Sequence, residues 1–384
     1  MNPIYLDVTR LLDRLAKRTL PTGVDRVGLA YVRHYSHRAR AVLSERGFHV
    51  VMSERVSARA FEMLLNQDFA RSRDARVLMA RAVLSGLRRD RAGPGVLLHT
   101  SHSGMEFGRY FTAMKKREIR PVFMVHDLIP LTHAEYCRPG VLAMHRRRMG
   151  VASAHAAGII ANSQSTLDSF AEESLRAGWT VPRTVVARLA SGVPAGTPGA
   201  RPLPQPYFVM LGTIEPRKNH WFALHIWRRL VEIHGTSAPT LVVVGRRGWE
   251  CENVVDMLER CAPLCGMVIE EGDCSDERLH NYLHHAQALL FPSFVEGYGM
   301  PLAEALALRV PVIASDLPVF REIAADIPDY LDPLDGPGWM RRIMAYAATA
   351  SPERMAQMAR IGRFREPTWR EHFDVVDQFI EELV

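Results

Sequence analysis

The chain has 384 residues, 47% of them hydrophobic, and a formal net charge of +6. A chain of this length and apolar content buries two ordinary cores more easily than one large one, so two domains are expected. Its five cysteines, an odd number, do not form a disulfide framework in so long a chain and fit a reducing cytoplasm.

In chain order, Met1-Asn2-Pro3 leads into the strand candidate Ile4-Tyr5-Leu6-Asp7-Val8 with no basic region and apolar run, so no secretory signal is expected. Basic clusters follow at Arg71-Arg73-Arg76, Arg88-Arg89-Arg91, Lys115-Lys116-Arg117 and Arg146-Arg147-Arg148. Residues 1–200 hold 30 Lys/Arg against 16 Asp/Glu, and residues 201–384 hold 18 against 26. The first half therefore presents either a cationic face for an anionic membrane or a solvated arginine-rich surface. Nucleic acid is not expected, because no basic stripe is interleaved with aromatics.

Gly95-Val96-Leu97-Leu98-His99, Pro121-Val122-Phe123-Met124-Val125 and Gly158-Ile159-Ile160-Ala161 read as buried strands, each short, apolar and followed by turn chemistry. His126 and Asp127 follow the second of these, His99 ends the first and His102 follows it. A histidine at a strand end points into a cleft or is satisfied locally, and both readings stay open. The stretch from Gly150 to Leu167 is uncharged but too polar to span a bilayer.

Proline and glycine are dense from Val193 to Pro206, which marks an inter-domain linker between a first domain, 1–200, and a second, 207–365. The strand theme then repeats at Tyr207–Leu211, Leu241–Val244, Ala288–Phe291 and Val312–Ala314. Alternation of such strands with helical stretches is the pattern of strand–helix units on parallel sheets, an α/β class. Cys261 and Cys265 lack a matching pair at zinc spacing and read as helix-face or core residues. The final stretch, 366–384, carries the periodic set Phe373, Val376, Phe379 and Ile380, which predicts a terminal amphipathic helix.

The most informative segment is Phe294-Val295-Glu296-Gly297-Tyr298-Gly299-Met300-Pro301-Leu302-Ala303-Glu304. Gly297 and Gly299 permit a sharp turn, and Pro301 suits a helix start. Unpaired N–H groups and the helix dipole there favour an anion such as a diphosphate. Glu296 and Glu304, acceptor-only when ionised, suit hydroxyl-rich partners on either side of it. Two solvated glutamates around a helix start remain the plain alternative.

With Phe291-Pro292-Ser293 ahead of it, this segment resembles the Glu-x7-Glu signature of the family-4 retaining glycosyltransferases of the GT-B fold. Leu211-Gly212-Thr213-Ile214-Glu215-Pro216-Arg217-Lys218-Asn219 resembles that family's strand, turn and basic pair. Leu241 to Gly245 with Arg246-Arg247-Gly248-Trp249 is similar to the next strand of its bacterial mannosyltransferase-like branch. Thr22-Gly23-Val24-Asp25-Arg26 resembles the family's amino-terminal glycine loop, and Val125-His126-Asp127-Leu128 its His-Asp strand end. One departure is Arg309, where many members carry glycine. Residues 40–95 match nothing in the family pattern.

The resemblance implies two Rossmann-like α/β/α domains facing each other across a donor-binding cleft, with the terminal helix 366–384 packing back on the first domain. It implies that Arg217 and Lys218 meet the donor phosphates, that Gly23, Gly212, Thr213, Gly297, Tyr298 and Gly299 line them, that Glu304 holds the ribose and that Glu296 holds the transferred sugar. His126 then lies near the reacting centre, and His99, His102 and Asp127 are acceptor-site candidates. No Asp-x-Asp occurs in the chain, so cations and helix ends are expected to stabilise the leaving phosphate, with neither metal nor cofactor. No nucleophile can be assigned for double displacement, although Glu296 is nearest, so same-face substitution is favoured.

The expected activity is a retaining hexosyl transfer, with mannose from GDP-mannose as the donor of choice, to a glycan or lipid-linked acceptor of a bacterial surface polysaccharide. The expected place is the cytoplasm, with peripheral contact at the inner face of the membrane. UDP-glucose or UDP-N-acetylglucosamine donors, an epimerase, a pyridoxal-dependent phosphorylase and a non-catalytic nucleotide-sugar-binding scaffold are the competing readings.

Overall fold

The computed structural model describes residues 3–66, 72–86, 92–192 and 198–383. Arg71, the Arg88-Arg89-Arg91 cluster and linker residues 193–197 lie outside them. The chain divides into two compact units: Met1–Thr132, Gly140–Leu189 and Thr368–Val384 form one, and His133–Pro139 with Ala190–Pro367 form the other.

Among the described residues, the first unit holds a seven-stranded sheet of β1 (Ile4–Asp7), β2 (Ala39–Glu45), β3 (Phe48–Val51), β4 (Gly95–His99), β5 (Ile119–Val125), β6 (Gly158–Ala161) and β7 (Arg183–Val186). Their order is β3-β2-β1-β4-β5-β6-β7, and all neighbours are parallel except β2 and β3. The second unit holds β8 (Tyr207–Leu211), β9 (Thr240–Val244), β10 (Val268–Glu271), β11 (Leu289–Phe291), β12 (Val312–Ser315) and β13 (Asp329–Leu331). Their order is β10-β9-β8-β11-β12-β13, wholly parallel. Both are doubly wound, Rossmann-like α/β sheets, as expected. In each the strand order reverses at one point, between β1 and β4 and between β8 and β11, and ligands of such sheets collect beyond the strand ends there.

All eight apolar runs named above form strands. The sequence reading missed β2, β3, β7, β10 and β13. Of these β3, β7, β10 and β13 are sheet edges and carry half-exposed positions, so they lack the continuous apolar run of a strand buried on both faces. β2 and β3 form a hairpin closed by Arg46 and Gly47, both with positive φ, inside the stretch that matched nothing. One core gathers Tyr5, Phe111, Phe123 and Phe170, and the other Phe208, Trp227, Ile313 and Trp339.

The terminal helix Trp369–Leu383 lies in the first unit, where Asp377 accepts hydrogen bonds from Tyr35 (2.9 Å) and Arg38 (2.9 Å). Cys261 and Cys265 bracket a 3-10 turn; Cys261 packs against the second core as expected, whereas Cys265 is exposed. Among the described residues no helix is long and apolar enough to cross a membrane.

Arg309, the departure from the family pattern, has φ 59°. It follows the helix Met300–Ala307, where the Arg309 N–H donates to Leu306 O (3.0 Å) and the Val310 N–H to Ala305 O (2.8 Å). This is a Schellman closure whose left-handed position glycine would fill without strain. Arginine adopts the same conformation at a backbone cost.

Candidate functional site

At the reversal point of the second sheet, the segment after β8 and the loop after β11 come together. β8 ends at Leu211 and is followed by Gly212, whose N–H donates to Val244 O (2.9 Å). Gly212 has φ 141°, and a Cβ there would sit 3.2 Å from Lys218 Cε, so the bare backbone leaves room for that side chain. Half-buried Thr213 follows, and the Ile214 N–H donates to Arg246 O (2.9 Å). A 3-10 turn, Pro216–Lys218, then delivers Arg217 and Lys218 ahead of the helix His220–His234. The Asn219 side chain between them donates to Pro292 O and Pro333 O.

Glu296 sits in the irregular loop between β11 and the helix Met300–Ala307. Its carboxylate lies 2.5 Å from Arg217 Nη1 and 2.5 Å from Lys218 Nζ, and accepts from Ser293 Oγ at 2.8 Å. Arg217 Nη2 is 2.5 Å from Glu215. Lys218 Nζ also lies 4.8 Å above the Phe291 ring. Burial alone would raise the Glu296 carboxyl, but Arg217 and Lys218 override it and hold it at about 2. Burial lowers Lys218 and Glu296 opposes that shift. Burial raises Glu215 against the pull of Arg217 and Lys218. The group is therefore a buried, charge-paired cluster of two cations and two carboxylates.

Of the turn glycines, Gly299 carries the left-handed conformation (φ 108°) and caps the helix Met300–Ala307, and a Cβ there would meet the Phe320 ring at 2.7 Å. Gly297 precedes it in the loop, and Tyr298 is buried. Glu304, within the helix and buried, accepts from the Gly192 N–H at 3.3 Å. Phe294 is held beside the cluster: its N–H donates to Arg217 O (2.9 Å), and Tyr136 stacks on its ring at 5.3 Å. Trp249 Nε1 donates to Tyr136 O (3.3 Å).

The first unit gathers a different set. Gly23 is the first residue of the helix Gly23–Tyr35, not part of a free loop. Asp25 closes that helix start by accepting from the Thr22 N–H (2.7 Å), and it pairs with Arg10 and Arg14, each at 2.7 Å. His126, 5% exposed, lies 2.9 Å from Thr100 O through Nε2, which makes Nε2 the protonated nitrogen. The His126 backbone N–H donates to His102 Nε2 (3.1 Å), so His102 is unprotonated there. His145 joins them, with its ring 5.0 Å from that of His102 and Nε2 3.3 Å from Asp127 O. Burial lowers all three histidines, and for His102 the neighbouring His145 and His126 lower it further. His99 stands apart, 1% exposed, 3.9 Å from Asp7 and packed on Phe111 and Phe123.

Arg217, Lys218 and Glu296 thus meet directly, as do His102 and His126, while His145 reaches the Asp127 carbonyl. The sequence reading missed Glu215, Ser293 and His145. The first two stand inside the quoted motifs, where their residue type was the available signal. His145 lies mid-helix between Met144 and Arg146 with no local signal. Among the described residues no group of three or more His, Cys, Asp or Glu side chains could hold a metal.

Residues 198–327 match the family model described as Glycosyl transferases group 1. The serotype-specific mannosyltransferase WbdA of Escherichia coli is 30% identical over 246 residues, which cover 59% of this chain and 30% of that protein. O-antigen chain mannosyltransferase B of Escherichia coli is 33% identical over 131 residues, 34% of each chain. The chain therefore spans under a third of the first relative's length and about a third of the second's. A crystal structure of Anabaena Alr3699/HepE in complex with UDP superposes with a TM-score of 0.68 at 15% identity, covering 100% of both chains. The chain accordingly has the GT-B architecture of two Rossmann-like domains; residues 198–327 are related to glycosyl transferases group 1, and up to 59% of the chain is related to bacterial mannosyltransferases.

Proposed function

We propose that the protein is a retaining, metal-independent glycosyltransferase of family 4 that moves mannose from GDP-mannose to a glycan or lipid-linked acceptor of a bacterial surface polysaccharide. The observation that carries this reading is the Arg217–Lys218 pair beside Glu296 at the reversal point of the second sheet. Arginine offers a bidentate fork and lysine a compact charge, the donors a leaving diphosphate needs. The backbone of Gly297, Tyr298 and Gly299 lines that diphosphate, Glu304 accepts the ribose hydroxyls and Glu296 a hydroxyl of the sugar. The choice of mannose rests on the names of WbdA and O-antigen chain mannosyltransferase B.

In this reading the departing phosphate takes the acceptor proton on the face it leaves, and the enzyme supplies position and charge. His126, neutral and anchored through Nε2, serves the reacting centre, with His102 and Asp127 on the acceptor side. Cytoplasmic work beside an anionic membrane suits the exposed Lys115, Lys116, Arg146 and Arg147. Salt-sensitive binding to anionic liposomes checks that, and indifference to lipid charge removes it.

A thermal-shift series with GDP-mannose, GDP-fucose, UDP-glucose and UDP-N-acetylglucosamine tests the donor. A ligand at 100 times its Kd stabilises the native state by about 2.7 kcal/mol, and GDP-mannose is expected to give the largest shift. A larger shift with a UDP-sugar overturns the donor assignment. Product of inverted configuration, or a covalent glycosyl adduct on Glu296, overturns the same-face chemistry. Strict dependence on added magnesium overturns the metal-free scheme.

A further inference from the structure

The four charges of the donor cluster cancel before any ligand arrives, and the two carboxylates are held differently. Glu215 lies next to Ile214, which is fixed through its N–H to Arg246 O and its carbonyl to the Gly248 N–H (3.0 Å). The Glu215 carbonyl accepts from the Lys218 N–H at 3.1 Å, and its side chain meets one cation, Arg217. Glu296 rides on an irregular loop, and its two oxygens reach both cations, one each. It thereby occupies the place between Arg217 and Lys218 that two oxygens of a diphosphate would take.

A neutral cluster has no net attraction for a polyanion, and the same N–H groups cannot serve two acceptors at full strength. We propose that the diphosphate of the donor displaces Glu296 from Arg217 and Lys218, while Glu215 stays in place as the positioning residue of Arg217. The displaced Glu296 then accepts a hydroxyl of the sugar. A nucleoside diphosphate without its sugar leaves that carboxylate with Ser293 as its one hydrogen-bond donor in place of three, and binds less well than the nucleotide-sugar. The exchange rests on the nucleotide-sugar reading above and gives Glu215, outside the set of donor ligands, a role of its own.

Calorimetric titration of GDP and GDP-mannose, or of UDP and UDP-glucose if the protein binds those instead, tests it on wild type, Glu296→Gln, Glu215→Ala and Glu215→Gln. Glu296→Gln is expected to bind the nucleoside diphosphate about tenfold more tightly, the size of one charge-assisted hydrogen bond no longer competing, and to lose the preference for the nucleotide-sugar. Glu215→Ala frees Arg217 to fold onto Glu296 and weakens binding about tenfold, while Glu215→Gln, which still accepts from Nη2, restores it. If Glu296→Gln does not fold, Glu296→Asp, one methylene short of spanning both cations, gives the same direction at smaller size. Tightening in both Glu296→Gln and Glu215→Ala shows that charge alone governs and overturns the division of roles. Unchanged affinity in the Glu296 variants overturns the exchange. Wild type that binds no nucleotide or nucleotide-sugar overturns the donor reading itself and the exchange with it.

Discussion

Apart from the extra strand β7 and the antiparallel β3 of the first, the two sheets share a strand order, yet the polar groups beyond their strand ends are of opposite kinds. In the second domain they are ionised and paired: Arg217 and Lys218 against Glu215 and Glu296. Near the strand ends of the first, His102, His126 and His145 are kept neutral by burial and tied to backbone atoms. Similar topologies therefore support a charge-paired cluster in one place and an uncharged hydrogen-bonding cluster in another. The difference lies in which side chains follow each strand and in how deeply they are desolvated.

The largest effect should come from the charged side of the contrast. Lys218→Ala is expected to lower kcat about 100-fold with a smaller change in donor affinity, since its contact strengthens as charge builds on the leaving phosphate. Steady-state kinetics with the donor found above check this, and an unchanged kcat removes Lys218 from the site. Glu304→Ala should instead raise the donor Kd about tenfold, which calorimetry reads directly.

His126→Ala tests the neutral side, with kcat expected to fall about tenfold to 100-fold. If His126 and Lys218 variants lose donor affinity alike, the assignment of the histidine to the reacting centre fails.

The histidine cluster should also set an acid limit on stability. The folded-state values are depressed below the ordinary 6.5, so the unfolded chain binds more protons between that value and the folded ones. The contribution is complete above about pH 6.5 and falls by up to about 1.4 kcal/mol per pH unit for each histidine as pH drops through that window. Thermal unfolding from pH 7.5 to 5 measures the slope, and His145→Gln should flatten it. Glu296, held at about 2, has the same sign but acts only below about pH 4.5.

The smallest effect concerns neither cluster. Arg309→Gly should stabilise the protein by about 1 kcal/mol or less, because it relieves a left-handed residue at some entropic cost in the unfolded chain. Chemical denaturation checks it, and a loss of stability would mean that the arginine side chain contributes more than its backbone costs.

Much of this was legible before the fold. The apolar runs at Tyr207–Leu211 and Gly158–Ala161 read as buried strands and are, and Gly299 with Pro301 suits the helix start that follows. The edge strands β7, β10 and β13 were not legible, because half-exposed residues such as Glu270 and Glu271 carry no apolar period. Gly23, expected in a glycine loop, is a helix start, a position that the Thr22-x-x-Asp25 capping pattern already signals and the resemblance to a glycine loop obscures.

Sequence alone determined the inventory: the eight apolar strands, the turn that needs Gly299, and the presence of Arg217, Lys218, Glu296 and Glu304 in spaced motifs. Tertiary structure decided the pairings. Lys218 and Glu296 are 78 positions apart and meet at 2.5 Å, and His145 joins His102 from a helix that shows no local sign of it. The same packing decided that one cluster stays charged and the other neutral, because desolvation depends on what surrounds a side chain and residue type does not reveal it.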